Sequence, residues 1–506
     1  MTYWPRHRLD RRDAGSRRRG VLLATAAALV AGCASPPARL QPELEFEPAA
    51  QWTASLQTAT ASVEAPDASA PWWTDFHDPT LDSLIARAWA HNYDLRAAVF
   101  RVDAALAQAR LAGADGLPQL GASFSRTRDR RNFIGTPIPT STTTTYGASL
   151  DASWEIDLWG RVRSARSASL AEAQAAWADV HAARLSLAAQ TAKAYFAVTE
   201  SRQQVALARE TVASFRAALR SVRARFEQGT RPSLDVRLAG SNLADAEALL
   251  ARRRAQHDRS RRQLEILLGR YPAGTLQGAD SLRATPADLP AAGIPSDLLV
   301  RRPDVVAAER QLAAAGARVS EARRAFLPRL SLSGSAGSTS GALDQLTDGD
   351  FIVWRLVGNL VQPLFQGGRL RARAQLAQAD EERLLAHYAQ TLLQACADVE
   401  NALVHETSLA AEESAQEESA RQAVAAQALA EDRYRQGLEN FITVLEAQRR
   451  ALQARGALLS LRRQRLDARV QLHMALGGSF HLPSGADGRF DLFPEPVLNN
   501  TGDDSP

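Results

Sequence analysis

The residues able to do covalent or acid–base chemistry are sparse, and their spacing does not converge on a reaction. His405-Glu406 opens like a zinc-helix motif, but the second histidine is missing. There is no Walker loop and no GxSxG elbow, and the histidines are scattered. Met1 and Met474 are the only methionines, so no thioether ladder exists for a copper or silver cargo. Cys396 lies in an Ala/Leu-rich helical run and reads as a small core residue. What remains is a set of carboxylates at ordered spacing. Asp151, Glu155 and Asp157 alternate with Leu150, Ala152, Trp154, Ile156 and Leu158. On a strand the three acids share one face. Lining a membrane pore, that face would favour cations rather than turn over a substrate. The expectation is no enzyme, no metal centre and no cofactor.

One covalent modification is expected, at Cys33. Residues 1–20 carry seven Arg and two Asp, and Val21 to Gly32 is a 12-residue apolar run. That run suits a signal peptide and is too short to span a bilayer as a helix. It closes on Val30-Ala31-Gly32-Cys33, which is similar to the lipobox of bacterial lipoproteins, where the thiol is lipidated. An ordinary secretory signal with a coincident Cys is the alternative. Residues 1–32 thus read as a lipoprotein signal peptide, and 33–77 as a lipid-anchored tether opening on Ala34-Ser35-Pro36-Pro37. Setting the presequence aside leaves the 60 basic and 56 acidic residues of the chain close to balance. The basic excess therefore belongs to the presequence, and nucleic acid is not an expected partner.

The elements are placed by an internal duplication. Leu117-Pro118-Gln119-Leu120 returns as Leu327-Pro328-Arg329-Leu330, and Gly160-Arg161-Val162-Arg163 as Gly368-Arg369-Leu370-Arg371. Arg225-Phe226-Glu227-Gln228-Gly229 returns as Arg433-Tyr434-Arg435-Gln436-Gly437, and Leu268-Gly269 as Leu476-Gly477. The reading is a first repeat over 78–268, a Gly/Pro-rich linker over 269–296, a second repeat over 297–477 and a C-terminal tail over 478–506. Each repeat runs helix, β-hairpin, very long helix, Gly tip and return helix. Arg161 to Gln228 and Arg369 to Gln436 each hold 68 residues without Gly or Pro. As helices each would extend roughly 100 Å. The return helices are expected over Ser233–Leu268 and Leu438–Leu476. Leu438, Leu445, Leu452, Leu459 and Leu466 recur every seventh residue, as in a coiled-coil seam.

No apolar run reaches the roughly 18 residues of a membrane helix, so entry into a membrane would be by strands. Tyr146 to Leu158 alternates strictly, and Leu120, Ala122 and Phe124 supply its partner. The second half offers Leu330 and Leu332 against Ser331 and Ser333. It also offers Ile352, Trp354, Leu356 and Leu360 against Phe351, Arg355 and Asn359, with Val353, Val357 and Val361 blurring the alternation. A soluble sheet with one wet face has the same pattern. In lipid, four strands cannot close a barrel and open edges are not tolerated, so several chains would have to share one.

Four blocks carry a resemblance to a known family: Trp154-Glu155-Ile156-Asp157-Leu158-Trp159-Gly160-Arg161; Gly293-Ile294-Pro295-Ser296-Asp297-Leu298-Leu299 with Arg301-Arg302-Pro303-Asp304-Val305; Phe326-Leu327-Pro328; and Gln362-Pro363-Leu364-Phe365 with Gly367-Gly368-Arg369-Leu370. By these the chain resembles the TolC/OprM/NodT-type outer-membrane factors, in the lipoprotein branch serving RND-type efflux pumps. The resemblance implies an α+β membrane protein: a long α-helical barrel plus a trimeric transmembrane β-barrel with four strands per protomer. It implies a homotrimer that docks on a periplasmic adaptor (membrane fusion protein) and an inner-membrane RND-type transporter. Its place would be the outer membrane, anchored by lipid at Cys33 and extending into the periplasm; Ala34 after the cysteine favours that sorting.

The resemblance also implies where function sits. The adaptor would meet the helical tips, at Gln228, Gly229 and Thr230 and at Gln436, Gly437 and Leu438. The periplasmic gate would involve Asp235, Tyr434 and Glu446. Here the chain departs from some members, with Glu439 where they have Arg and Thr443 where they have an acid. A carboxylate ring would then hold the mouth through water or a cation, or filter cations; a plain solvated helix face is the alternative. Asp151, Glu155 and Asp157 would line the barrel lumen. The expected function is the passive exit duct of a tripartite efflux pump for drugs and other toxic small molecules. The rivals are the duct of a type I protein secretion system and a periplasmic structural coiled-coil lipoprotein.

Overall fold

The computed structural model describes residues 52–53, 71–132, 134–135, 139–230, 232–283, 285–286, 289–290 and 301–480. The presequence, Cys33, most of the tether and the tail from residue 481 lie outside them. The chain divides into two compact units. Among the described residues, one contains 108–171 and 313–378, and the other contains 52–107, 172–312 and 379–480.

The element order is α1 (Pro79–His91), α2 (Tyr93–Ala114), β1 (Gln119–Arg131), β2 (Ser141–Ile156), α3 (Arg161–Glu227), α4 (Ser233–Leu267), α5 (Pro303–Arg324), β3 (Arg329–Ser340), β4 (Ile352–Val361), α6 (Arg369–Arg435) and α7 (Phe441–Ala475). The expected long helices form, each 67 residues and roughly 100 Å. α7 starts at Phe441 rather than Leu438, because Asn440 caps it by accepting from Thr443 N at 2.9 Å. The heptad series therefore begins on the helix at Leu445, while Leu438 sits in the tip turn.

In the first unit the strands make one antiparallel sheet in the order β1-β2-β3-β4. Its register resolves the phase that the valines obscured. Cross-strand partners share a face, so Ile156, Leu330 and Leu360 form one row. The next rows on that face are Trp154 with Leu332 and Gly358, then Leu120 with Ala152, Gly334 and Leu356. Ala122, Leu150, Ala336 and Trp354 follow, then Phe124, Ala148, Ser338 and Ile352. From first row to fifth this apolar band measures about 27 Å along the strands. The other face carries Gly121, Ser123, Ser149, Asp151, Ser331, Ser333, Ser335 and Arg355, and Val353 and Val357 belong to it.

The second unit is helical. Trp72, Trp73, Phe76, Leu81 and Ile85 pack with Tyr195, Phe196, Leu264, Leu466 and Val470. Trp52 packs with Val305, Leu312, Tyr388, Leu392 and Leu472. Parts of the segment read as a tether thus belong to the core. Helix α1 is capped by Asp78, whose carboxylate accepts from Thr80 N at 3.0 Å and from Tyr195 Oη at 2.9 Å. The start of the expected linker is also fixed. Burial works against the Glu265 charge, but the N–H groups of Gly274, Thr275 and Leu276 converge on its carboxylate and hold it below the usual range.

Corresponding turns at the ends of α4 and α7 are built alike. Gly269 and Gly477 both adopt positive φ, at 66° and 86°. Asn92 Nδ2 donates to Leu267 O at 3.1 Å, and Arg302 Nη1 donates to Ala475 O at 3.3 Å. His473 stacks on Trp72 with ring centroids 5.3 Å apart. Burial, reinforced by the Arg469 charge, pushes its pKa down to about 3, so it is a neutral core group at physiological pH.

Candidate functional site

The tips are Schellman turns, which a positive-φ glycine permits. After α3, Gly229 adopts φ 73°, and Thr230 N donates to Arg225 O at 3.0 Å. Thr230 Oγ1 donates to the same carbonyl at 2.9 Å. After α6, Gly437 adopts φ 78°, and Leu438 N donates to Arg433 O at 2.9 Å. Gln436 Nε2 donates to Asp432 Oδ2 at 2.7 Å. Gln228, Gly229, Thr230, Gln436 and Gly437 are all exposed, and Leu438 is 65% exposed. An apolar side chain held outward on a rigid turn is suited to contact another protein.

Beneath the turns lies a small core of Val222, Ala239, Ala430, Tyr434, Phe441, Val444 and Leu445. Tyr434 is buried in it, 5.5 Å from the Phe441 ring, with the Arg225 guanidinium 5.0 Å over its own ring. Asp235 is the third residue of α4 and only 8% exposed. Thr443 holds the same place in α7 but is exposed, as is Glu446. Thr443 Oγ1 donates to Glu439 Oε1 at 3.1 Å, and Asn440 N donates to the same oxygen at 3.1 Å. The Asn440 and Thr443 donors hold the Glu439 carboxyl below its ordinary range. Glu439 thus serves the cap of α7. The two ends are not alike: one holds the buried carboxylate of Asp235, the other the half-buried Glu439 and the exposed Glu446.

On the polar face of the sheet the three acids separate. Asp151 is exposed in mid-strand and accepts from Ser149 Oγ at 2.9 Å. Its register row continues through Ser335 to Arg355, a cation whose shared row with Asp151 only the strand pairing reveals. Glu155 is bound by Arg161 at 2.9 Å. Asp157 lies beyond the end of β2, where it accepts from Arg163 N at 2.9 Å and pairs with its guanidinium at 3.4 Å. Asp157 therefore helps begin α3, in the manner of an N-terminal cap. Trp154 and Trp159, from the same block, are tied at their indoles, Trp154 to Gly116 O at 2.9 Å and Trp159 to Pro328 O at 2.7 Å.

Among the described residues, no cluster of His, Cys, Asp and Glu could hold a metal, and no helix is long and apolar enough to cross a membrane. The apolar face of the sheet is open, with Leu120 83% and Trp354 78% exposed.

Comparison with known proteins gives one consistent result. The family profile described as "Outer membrane efflux protein" matches residues 84–270 and 294–478. The chain is 36% identical over 453 residues to the pyoverdine export outer membrane protein OpmQ of Pseudomonas putida, covering 88% of this chain and 94% of that one. Its fold is similar to the CmeC outer membrane channel of Campylobacter jejuni, with a TM-score of 0.83 at 25% identity over 88% of this chain and 95% of that one. It is also similar to the open-state MtrE outer membrane channel of Neisseria gonorrhoeae, with a TM-score of 0.77 at 29% identity over 88% of this chain and 98% of that one. Two profile segments, each spanning hairpin, long helix and return helix, together with a sheet whose apolar face is uncovered, lead to one conclusion: the chain belongs to the outer membrane efflux protein family and is an efflux channel of the outer membrane.

Proposed function

We propose that three copies of this chain pool their sheets into a twelve-stranded barrel and serve as the passive exit duct of a tripartite pump for small molecules. The observation that carries this is the four-stranded sheet with one apolar face uncovered and, among the described residues, both edges unpaired. Open edges are not viable in lipid, and a band about 27 Å long on strands tilted by about 40° stands about 20 Å tall, near the roughly 25 Å of a membrane barrel. The equal lengths of α3 and α6 and of α4 and α7, with the profile matching in two segments, support an internal two-fold repeat. Lipidation at Cys33 would anchor each copy.

In this reading the exposed tips around Gly229 and Gly437 meet the periplasmic adaptor, which couples the duct to an RND-type transporter in the inner membrane. Glu155 and Asp157 line the lumen at its periplasmic end, and Asp151 lines it near the middle of the apolar band. Arg161 and Arg163 pair with Glu155 and Asp157, and Arg355 shares the Asp151 row, so this stretch is nearly balanced and the mild preference for cations rests on the carboxylates of the constriction. Asp235, Tyr434, Glu439, Thr443 and Glu446 belong to the periplasmic constriction: Tyr434 packs behind it, Glu439 and Thr443 fix the α7 cap, and the Asp235 and Glu446 carboxylates of three copies come together there. Small-molecule efflux is favoured over protein secretion because relatives across most of the chain's length are efflux proteins.

Single-channel recording in planar bilayers tests this reading. Wild-type protein is expected to give a small, cation-preferring conductance. Replacing Asp235 and Glu446 together by alanine is expected to raise the conductance and lower the preference for potassium over chloride. Unchanged conductance and selectivity in the double variant would remove these residues from the constriction. No channel from either protein would refute the duct.

A further inference from the structure

We propose that the outward face of β1, beyond the apolar band, docks the phosphate groups of lipopolysaccharide in the outer leaflet. The inference rests on the barrel reading above, with the β1–β2 turn on the extracellular side. The apolar band ends at the row of Phe124, Ala148, Ser338 and Ile352. On the same face the next row is Arg126 with Tyr146 and Ser340, followed by Arg128 with Thr144 and Arg130 with Thr142. All three arginines are exposed. The Arg126 guanidinium lies 5.7 Å over the Tyr146 ring, so an aromatic girdle position and the first cation form one unit. The nearby Asp129 points to the opposite face, where it pairs loosely with Arg131 at 3.8 Å. Among the described residues no carboxylate pairs with Arg126, Arg128 or Arg130.

A lipid-facing arginine within the hydrocarbon is costly, so this stripe belongs at and above headgroup level. There, three guanidinium groups without acidic partners call for anions, and their planar forks match phosphate oxygens bidentately. The stripe rises about 14 Å along the strand from Arg126 to Arg130. A phospholipid places its phosphate at one level. A phosphorylated glycolipid spreads phosphates over its sugars and fits a ladder of cations at several heights. The opposite end of the hairpin leads into α2 and α3, so the ladder sits at the end remote from the helices.

The test uses the full-length protein in detergent, stripped of copurifying lipid. It is titrated with bisphosphorylated lipid A, monophosphorylated lipid A and phosphatidylglycerol, and bound lipid is counted by native mass spectrometry. Bisphosphorylated lipid A is expected to bind saturably and more tightly than the other two. In the Arg126→Gln, Arg128→Gln, Arg130→Gln triple variant, binding is expected to weaken about a hundredfold, each basic group contributing about fivefold at an anionic surface. The corresponding triple lysine variant keeps most of the affinity. Equal binding by the wild type and the glutamine variant overturns the proposal, as does phosphatidylglycerol binding as tightly as lipid A. Conductance is recorded on the same preparations. A conducting channel indifferent to lipid A overturns only this inference, whereas preparations that never conduct overturn the barrel reading and the docking site with it.

Discussion

Replacing Gly477 by alanine is expected to remove about 3 kcal/mol or more of stability and to deplete the protein from the outer-membrane fraction. Two effects add. The residue sits at φ 86°, where a side chain costs about 1–2 kcal/mol. A Cβ there would also lie 2.0 Å from the carbonyl oxygen of Arg301 and 2.7 Å from its carbon, both backbone atoms that cannot rotate away. Gly437 separates the two effects. It has nearly the same φ, 78°, but nothing within 4 Å of the position a Cβ would take. Gly437→Ala is therefore expected to cost only the conformational part, about 1–2 kcal/mol. Thermal unfolding of both purified variants in detergent measures the difference. Equal midpoints would mean that the Arg301 carbonyl does not crowd the turn.

The second large effect is expected at Glu406. Its side chain and that of Arg469 are both 2% exposed, joined at 2.9 Å. The Arg465 guanidinium approaches the same carboxylate at 3.4 Å, and Arg469 also donates to Pro286 O at 3.0 Å. Glu406 thus serves two cations, of which Arg465 also binds Glu413 at 3.0 Å, so the buried Arg469 depends on Glu406 more than Arg465 does. Glu406→Leu leaves Arg465 its Glu413 partner at 3.0 Å but takes the carboxylate from the buried Arg469, at a cost of about 3–5 kcal/mol. Arg469→Met leaves Glu406 with Arg465 and is expected to cost clearly less. Combining Glu406→Leu with Arg469→Met is expected to recover much of the loss, because the buried charges are removed together. Denaturation of the two single variants and the double variant checks the order. Equal losses in the single variants, or strict additivity in the double, would show that the carboxylate is not shared.

The sequence made different features legible to different degrees, for physical reasons. The long helices could be read because 68-residue stretches without Gly or Pro leave the chain little else to form. The first hairpin could be read because Tyr146 to Ile156 alternates without a break. The phase of β4 rested on Arg355 and Asn359, since Val353 and Val357 are as apolar as Ile352 and Leu356; pairing with Ser333 and Gly337 agrees with that phase and assigns the valines to the polar face. The start of α7 was misplaced by the leucine at 438, which continues the heptad in sequence but precedes the Asn440 cap. Asp157 shares its parity with Glu155, yet parity cannot show that the strand stops at Ile156. Partners such as Glu406 and Arg469 lie 63 residues apart with no periodic signal linking them. Arg355 was visible as a polar position, but its shared row with Asp151 exists only in the folded register.

If the sheet closes only between copies, β1 of one chain lies against β4 of the next, and a disulfide ladder reads that contact. With Cys396 replaced by serine, Ser123→Cys on β1 is paired in turn with Val353→Cys, Arg355→Cys or Val357→Cys on β4. Within one chain these edges lie about 14 Å apart across the sheet, too far for a disulfide. Oxidation in outer-membrane vesicles is predicted, for at least one pair, to give a covalent series that stops at three chains. Absence of intermolecular product with every pair, or a series that ends at two or runs past three, would contradict it.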